Sequence, residues 1–269
     1  MIPVSKDNGR LSFAELLQSQ WRVIHALMLR DVKTRFFGSA WGYLVSIAWP
    51  VVHILIILVI NSVAGRQFPY GDSAALWFAT GMIPFAAFNY MARFIMMGIV
   101  QNKPLVVFPR VKIMDILLAR AIVEILSAGV VIIVMIIIFL FMDIDFIPAR
   151  LTEAAYALGA AFLLGLGIGV INAIIAQAWP IWATIFNLLM IILWIISGVL
   201  FVPDNLPEQA RYYISFNPII HIISWFRLAY YDEYGSLTLD KSYVIYFGIL
   251  SLFLGLVLER LFRGRLLQG

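Results

Sequence analysis

The sequence predicts an all-α integral membrane protein with six transmembrane helices, an N-terminal amphipathic interface helix, and short external re-entrant helices before the last span. Three observations predict it. The 269 residues are 63% hydrophobic and 13% charged, against about 45–50% apolar and about 25% charged in soluble domains. Uncharged runs of the roughly 20 residues needed to cross a hydrocarbon core of about 30 Å recur along the chain. The basic residues fall on one side of those runs. Lys6, Arg10, Arg22, Arg30, Lys33 and Arg35 precede the first, Lys103, Arg110, Lys112 and Arg120 follow the second, and Arg260, Arg263 and Arg265 follow the last.

Residues 1–36 form a polar N-terminal segment with no cleavable signal, so the first span must direct insertion. Within it, Ser12 and Glu15 make a capping box, and Phe13, Leu16, Leu17, Ile24, Leu27 and Met28 recur at helical spacing. A helix of that pattern lies in the headgroup plane. Residues 37–262 hold the spans, at about 38–63, 74–99, 117–141, 154–177, 180–202 and 242–259. The fourth and fifth come from fifty uncharged residues between Glu153 and Asp204, which as one helix would reach about 75 Å. The break falls at Gln177-Ala178-Trp179-Pro180, because proline disfavours helix at the residue before it. Six spans put both termini and every basic cluster on one side, which the positive-inside rule makes cytoplasmic, with a tail at 263–269. A five-span alternative would put Arg260, Arg263 and Arg265 outside.

Two connections carry apolar residues where water is expected. In the cytoplasmic stretch 101–116, Leu105, Val106, Val107 and Phe108 stand between Pro104 and Pro109, rimmed by Lys103, Arg110 and Lys112. Such a patch is either a protein contact or a segment folded onto the membrane. In the external stretch 203–241, the apolar run Pro218–Phe226 is too short to cross and reads as re-entrant or interfacial.

Arg93 and Glu124 lie inside spans that run antiparallel, so they can meet at one depth as an intramembrane pair. Arg120, one turn before Glu124, competes for it. No phosphate loop is present, because none of the five lysines follows a glycine. Gly165, Gly167 and Gly169 sit inside a span, where small residues allow close helix approach. No protease, esterase or metal motif appears, cysteine is absent, and His25, His53 and His221 are far apart. No catalytic residue and no metal site follow, and the net charge of +4 is membrane flanking rather than a nucleic-acid surface.

Three stretches carry a resemblance. They are Leu29-Arg30-Asp31-Val32-Lys33-Thr34-Arg35-Phe36 with Gly42-Tyr43-Leu44 and Trp49-Pro50; Val111-Lys112 with Asp115, Ala119-Arg120-Ala121 and Glu124; and Asn217-Pro218-Ile219-Ile220-His221 with Arg227. In order and spacing they resemble the ABC-2 type permease subunit of bacterial capsular polysaccharide exporters, the KpsM-like group, related to O-antigen and teichoic acid export permeases. Trp41 and Val45 depart from that family's usual residues.

The resemblance implies a homodimer in the bacterial inner membrane, served by two cassette ATPase subunits that bind ATP and Mg, with no cofactor in this chain. Its cargo would be a lipid-linked polysaccharide, passed on to periplasmic and outer-membrane export proteins in a Gram-negative cell. Residues 101–116 would include a coupling helix engaging the ATPase through Lys103, Leu105, Phe108, Arg110, Lys112 and Asp115. Residues 204–231 would cap the outer mouth, with Asn217, Pro218, His221, Trp225 and Arg227 as gate residues. Arg30, Lys33 and Arg35, beside Trp41, would receive the lipid phosphate; plain positive-inside flanking is the competing account. A lipid- or glycan-modifying membrane enzyme, or a permease for O-antigen or teichoic acid, is the alternative function.

Overall fold

The computed structural model describes residues 12–35, 40–65, 68–106, 108, 110–235 and 237–268, and among them it contains ten α-helices and no strand. In order these are α1 (Phe13–Arg35), α2 (Ala40–Val63), α3 (Ala74–Met96), α4 (Gly98–Asn102), α5 (Ile113–Phe141), α6 (Leu151–Ala178), α7 (Trp182–Ile196), α8 (Glu208–Ile214), α9 (Pro218–Leu228) and α10 (Lys241–Gln268).

Among the described residues, α5, α6 and α10 are each long and apolar enough to cross a membrane. A fourth crossing results if α3 and the segment Gly98–Leu105, bent by 46°, count as one span. Helix α2 runs 24 residues without a charge. Helix α7, with 15 residues, is about 22 Å long at 1.5 Å per residue. The run expected to cross over 180–202 is thus helical only from Trp182 to Ile196. The expected break falls where proline requires it: α6 ends at Ala178, and the Trp179 amide donates back to the Ile175 carbonyl at 2.7 Å.

Helix α6 is the centre of the molecule and packs most extensively on α10 and α3. Its glycines explain how. A Cβ on Gly165 would stand 2.8 Å from the Phe88 carbonyl oxygen, and one on Gly169 2.9 Å from Ile95 Cβ, both on α3. A Cβ on Gly167 would stand 2.7 Å from the Leu252 amide nitrogen on α10. The sequence expectation for these glycines, close helix approach, agrees with this geometry. The main core, including Trp77, Phe78, Phe88, Phe139, Leu164 and Ile222, spreads from this seam across α3, α5, α6 and α9.

Helix α1 begins at the expected capping box, with the Ser12 amide donating to Glu15 Oε2 at 2.7 Å and the Glu15 amide to Ser12 Oγ at 3.3 Å. Its apolar face is divided, however. Ile24 and Leu27 pack against Ile116 and Ala119 of α5, while Phe13, Leu16 and Leu17 remain exposed. Exposed apolar side chains of the kind a headgroup-plane helix presents remain at Phe13, Leu16, Leu17, Trp21 and Leu29.

Candidate functional site

The end of the molecule where α1, the α3–α4 bend and the start of α5 meet holds a cluster of buried polar side chains. Asp31, Asn102, Asp115, Arg120 and Glu124 are all buried there. Arg120 joins three elements. Its Nη2 lies 3.1 Å from Asp31 Oδ1 and 2.6 Å from Gln101 Oε1, and its Nη1 donates to the Phe94 carbonyl at 2.6 Å. Gly98 makes room, since a Cβ there would meet Leu117 at 3.0 Å and Arg120 Cδ at 3.4 Å. Arg30 donates to the Asn102 side-chain oxygen, whose amide nitrogen donates to the Gly98 carbonyl at 2.9 Å. Gln20 donates to Asp115, whose other oxygen accepts the Lys112 amide at 2.9 Å and caps α5. Three polar links therefore fasten α1 to the bend and to α5.

The residues expected to engage an ATPase are distributed over this end. A 3-10 turn, Lys103–Leu105, follows α4. Leu105 and Val106 pack onto the cluster of Ile24, Leu27, Ile116 and Ala119, so they are not part of an open apolar patch. Phe108 is 60% exposed, and Lys103, Arg110 and Lys112 are exposed around the same turn. Asp115 points inward as the cap of α5. Val107 and Pro109 lie outside the described residues.

Of the residues expected to receive a lipid phosphate, Arg30 is engaged with Asn102 and Lys33 is exposed. Arg35 and Trp41 fall at helix ends where the side chains lie outside the described residues. Arg93 and Glu124 both act electrostatically on Tyr90. The ion pair expected between them is not among those of the described residues, and Arg120, expected to compete for Glu124, is bound to Asp31. Arg93 instead lines a cleft of about 310 Å³ between α2, α3 and α7, with Trp49, Tyr90, Phe94, Gln101 and Asn187.

At the opposite end, α9 is held among α3, α6 and α10. Asn217 caps it by accepting the Ile219 amide at 3.0 Å, Pro218 fills the first helical position, and Asn217 Nδ2 donates to Ser197 Oγ at 2.9 Å. His221, 3% exposed, accepts the Asp240 amide at Nδ1 (3.0 Å) and donates from Nε2 to the Ser215 carbonyl (2.7 Å). That requires the neutral Nε2–H tautomer. Burial lowers its pKa, opposed by the Ser215 hydrogen bond and the Asp240 charge. Trp225 Nε1 donates to Glu153, which also binds Lys241 Nζ at 2.8 Å.

Arg227 is fully buried. It donates to the carbonyls of Gly198 (2.6 Å), Val199 (2.7 Å) and Phe201 (3.2 Å), and its guanidinium lies 3.6 Å from the centroid of Trp77. Gly198 takes φ +79 in this turn, a conformation open to glycine. After α7 ends at Ile196, Pro203 has no N–H to return to the Val199 carbonyl, and Arg227 satisfies the carbonyls of this turn instead. The five residues expected at an outer gate thus lie on α9 and its N-cap, where their contacts are to the neighbouring elements of the fold.

Sequence reasoning missed Asp31, Gln20, Asn102, Gln101 and Asn187. Asp31 was legible only as part of the resemblance stretch 29–36, with no partner assigned to it, and the amides carried no signal.

Residues 22–231 match the family described as ABC-2 type transporter. The chain is 29% identical over 238 residues to the polysialic acid transport protein KpsM of Escherichia coli, covering 88% of this chain and 92% of that protein. It is 29% identical over 271 residues to the capsule polysaccharide export inner-membrane protein CtrC of Neisseria meningitidis, covering 96% and 98%. To the inner-membrane protein BexB of Haemophilus influenzae, also described for capsule polysaccharide export, it is 26% identical over 257 residues, covering 94% and 96%.

Proposed function

The chain belongs to the ABC-2 type transporter family, and from that premise we propose that it moves a lipid-linked capsular polysaccharide out of the cytoplasm as the permease subunit of an ATP-driven exporter. The observation that carries the reading is its similarity, over nearly the whole chain, to several capsule export permeases. It is a transport subunit of the inner membrane and not an enzyme. The alternative cargoes, O-antigen or teichoic acid, have no comparable support.

The finer reading has six crossings with both termini cytoplasmic, two copies of the chain, and two separate ATPase subunits that bind ATP and Mg. Periplasmic and outer-membrane export proteins would take the glycan onward. Exposed Phe108, ringed by Lys103, Arg110 and Lys112, suits a docking knob. An apolar anchor at the centre and charges at the rim is the usual division of labour at an interface. Motion of this turn would pass through Arg120 to α3 and α5, and through Arg30 and Asn102 to α1.

Purification of a tagged copy tests the reading directly. A cassette ATPase should come with it, and cells lacking the chain should retain lipid-linked polysaccharide inside. Isolation without any ATPase, or normal surface polysaccharide in the deletion strain, would overturn the proposal. Phe108→Asp combined with Arg110→Glu and Lys112→Glu should release the ATPase, and wild-type recovery from that variant would remove the docking assignment alone.

A further inference from the structure

A cation in the last turn of a membrane helix needs a partner or water, because leaving it against hydrocarbon is costly. Arg93 has neither a hydrogen bond nor an ion pair from its side chain among the described residues. It is exposed into the cleft between α2, α3 and α7. Asn187 of α7 lines the same cleft, and its side-chain oxygen is buried with no hydrogen-bond partner among the described residues. Arginine donors without a partner and a buried amide acceptor without a donor thus line one space. An unsatisfied buried group in an otherwise well-paired structure calls for a ligand, an ion or water.

The rest of the wall states what kind of ligand. Tyr90 and Phe94 stack at 6.2 Å between centroids, and Trp49 lines the same cleft. A planar guanidinium with five donors matches phosphate oxygens two at a time. Aromatic faces beside it suit the apolar or sugar-bearing part of the same molecule. The cleft volume of about 310 Å³ fits a headgroup and not a polymer. No acid lines the cleft to compete for the arginine.

We propose that Arg93 forms a binding subsite for the phosphate ester of a lipid headgroup, with Asn187 Oδ1 accepting from a hydroxyl of the attached portion and Trp49, Tyr90 and Phe94 packing against that portion. The assignment rests on the reading of the chain as a permease for a lipid-linked glycan and names where the lipid phosphate is held. It differs from the sequence expectation, which gave that task to Arg30, Lys33 and Arg35. Arg30 is occupied by Asn102, whereas Arg93 has its donors available.

The test uses the full chain purified with its ATPase and titrated calorimetrically with three probes: dioctanoyl phosphatidic acid, dioctanoylglycerol and inorganic phosphate. Phosphatidic acid should bind the wild type, and Arg93→Gln should weaken it roughly tenfold or more, the loss of a charge-assisted contact. Arg93→Lys should restore part of the affinity, and Asn187→Leu should leave the binding of phosphatidic acid, which has no alcohol hydroxyl to offer that oxygen, unchanged; a tenfold loss there would overturn the assignment of the phosphate to Arg93. Dioctanoylglycerol should bind wild type and Arg93→Gln alike. Equal binding of phosphatidic acid to wild type and Arg93→Gln overturns the proposal, including the case in which a second copy of the chain fills the cleft. Inorganic phosphate binding as tightly as phosphatidic acid overturns the lipid assignment. Co-elution of the ATPase in each variant separates these failures from failure of the permease reading, which would remove the ATPase altogether.

Discussion

Removing the Arg120 guanidinium should cost more stability than any other single change at the α1–α5 end. The arginine and Asp31 have side chains only 4% and 7% exposed and lie 3.1 Å apart, so water screens them little. Truncation to Arg120→Met takes the cation from a buried carboxylate and removes the donors to the Phe94 carbonyl and Gln101. Breaking one side of a buried ion pair costs about 3–5 kcal/mol. For a chain of this size that corresponds to a fall of roughly 6–20 °C in thermal midpoint, at about 2–4 °C per kcal/mol. Asp31→Leu should fall by a similar amount. The double variant Asp31→Leu with Arg120→Met removes both members of this pair and should recover much of the loss, since apolar replacement of a buried pair is often neutral. Midpoints measured by size-exclusion recovery of detergent-solubilised protein after heating close the cycle. A double variant as unstable as the two losses summed would show no coupling, and the network reasoning would be refuted.

Three further outcomes follow from the opposite end. His221 is held neutral, with its pKa pushed below the ordinary 6.5 chiefly by burial, so the unfolded chain takes up a proton at higher pH than the folded one. Stability is therefore full above about pH 6.5 and declines as pH falls toward the lowered folded value; a wild-type midpoint no lower at pH 5.5 than at pH 7.5, relative to His221→Gln, would contradict this. Gly81→Ala puts a Cβ 2.7 Å from Arg227 Nη2 and 3.0 Å from the Val199 carbonyl, and should lose about 1–3 kcal/mol to overpacking, read as a lower midpoint; an unchanged midpoint would mean that the turn moves freely. Arg227→Lys keeps the charge but cannot reach three carbonyls with one ammonium, so it should also unfold at lower temperature, and wild-type behaviour would remove the guanidinium's role in satisfying the turn after α7.

The helical class and the break after Ala178 were legible because hydrophobic run length and proline act locally. Gly165, Gly167 and Gly169 were legible because small residues in a span have few other uses. Asp31 and Arg120 were read separately, one within the resemblance stretch 29–36 and the other as a competitor for Glu124, because nothing in a single sequence joins positions so far apart. The turn after α7 was hidden for a similar reason: Arg227, which binds its carbonyls, follows two loops later. Leu105 and Val106 looked exposed because their loop is polar at both ends, and only the docking of α1 supplies the apolar surface that covers them.

Helix α6 meets α3 and α10 through glycine backbone at Gly165, Gly167 and Gly169, points where there is no room for even one added methyl group. The trio α3, α6 and α10 is therefore mechanically stiff in shear. Movement within the chain would then fall to α2 and α7, which are more lightly held to that trio.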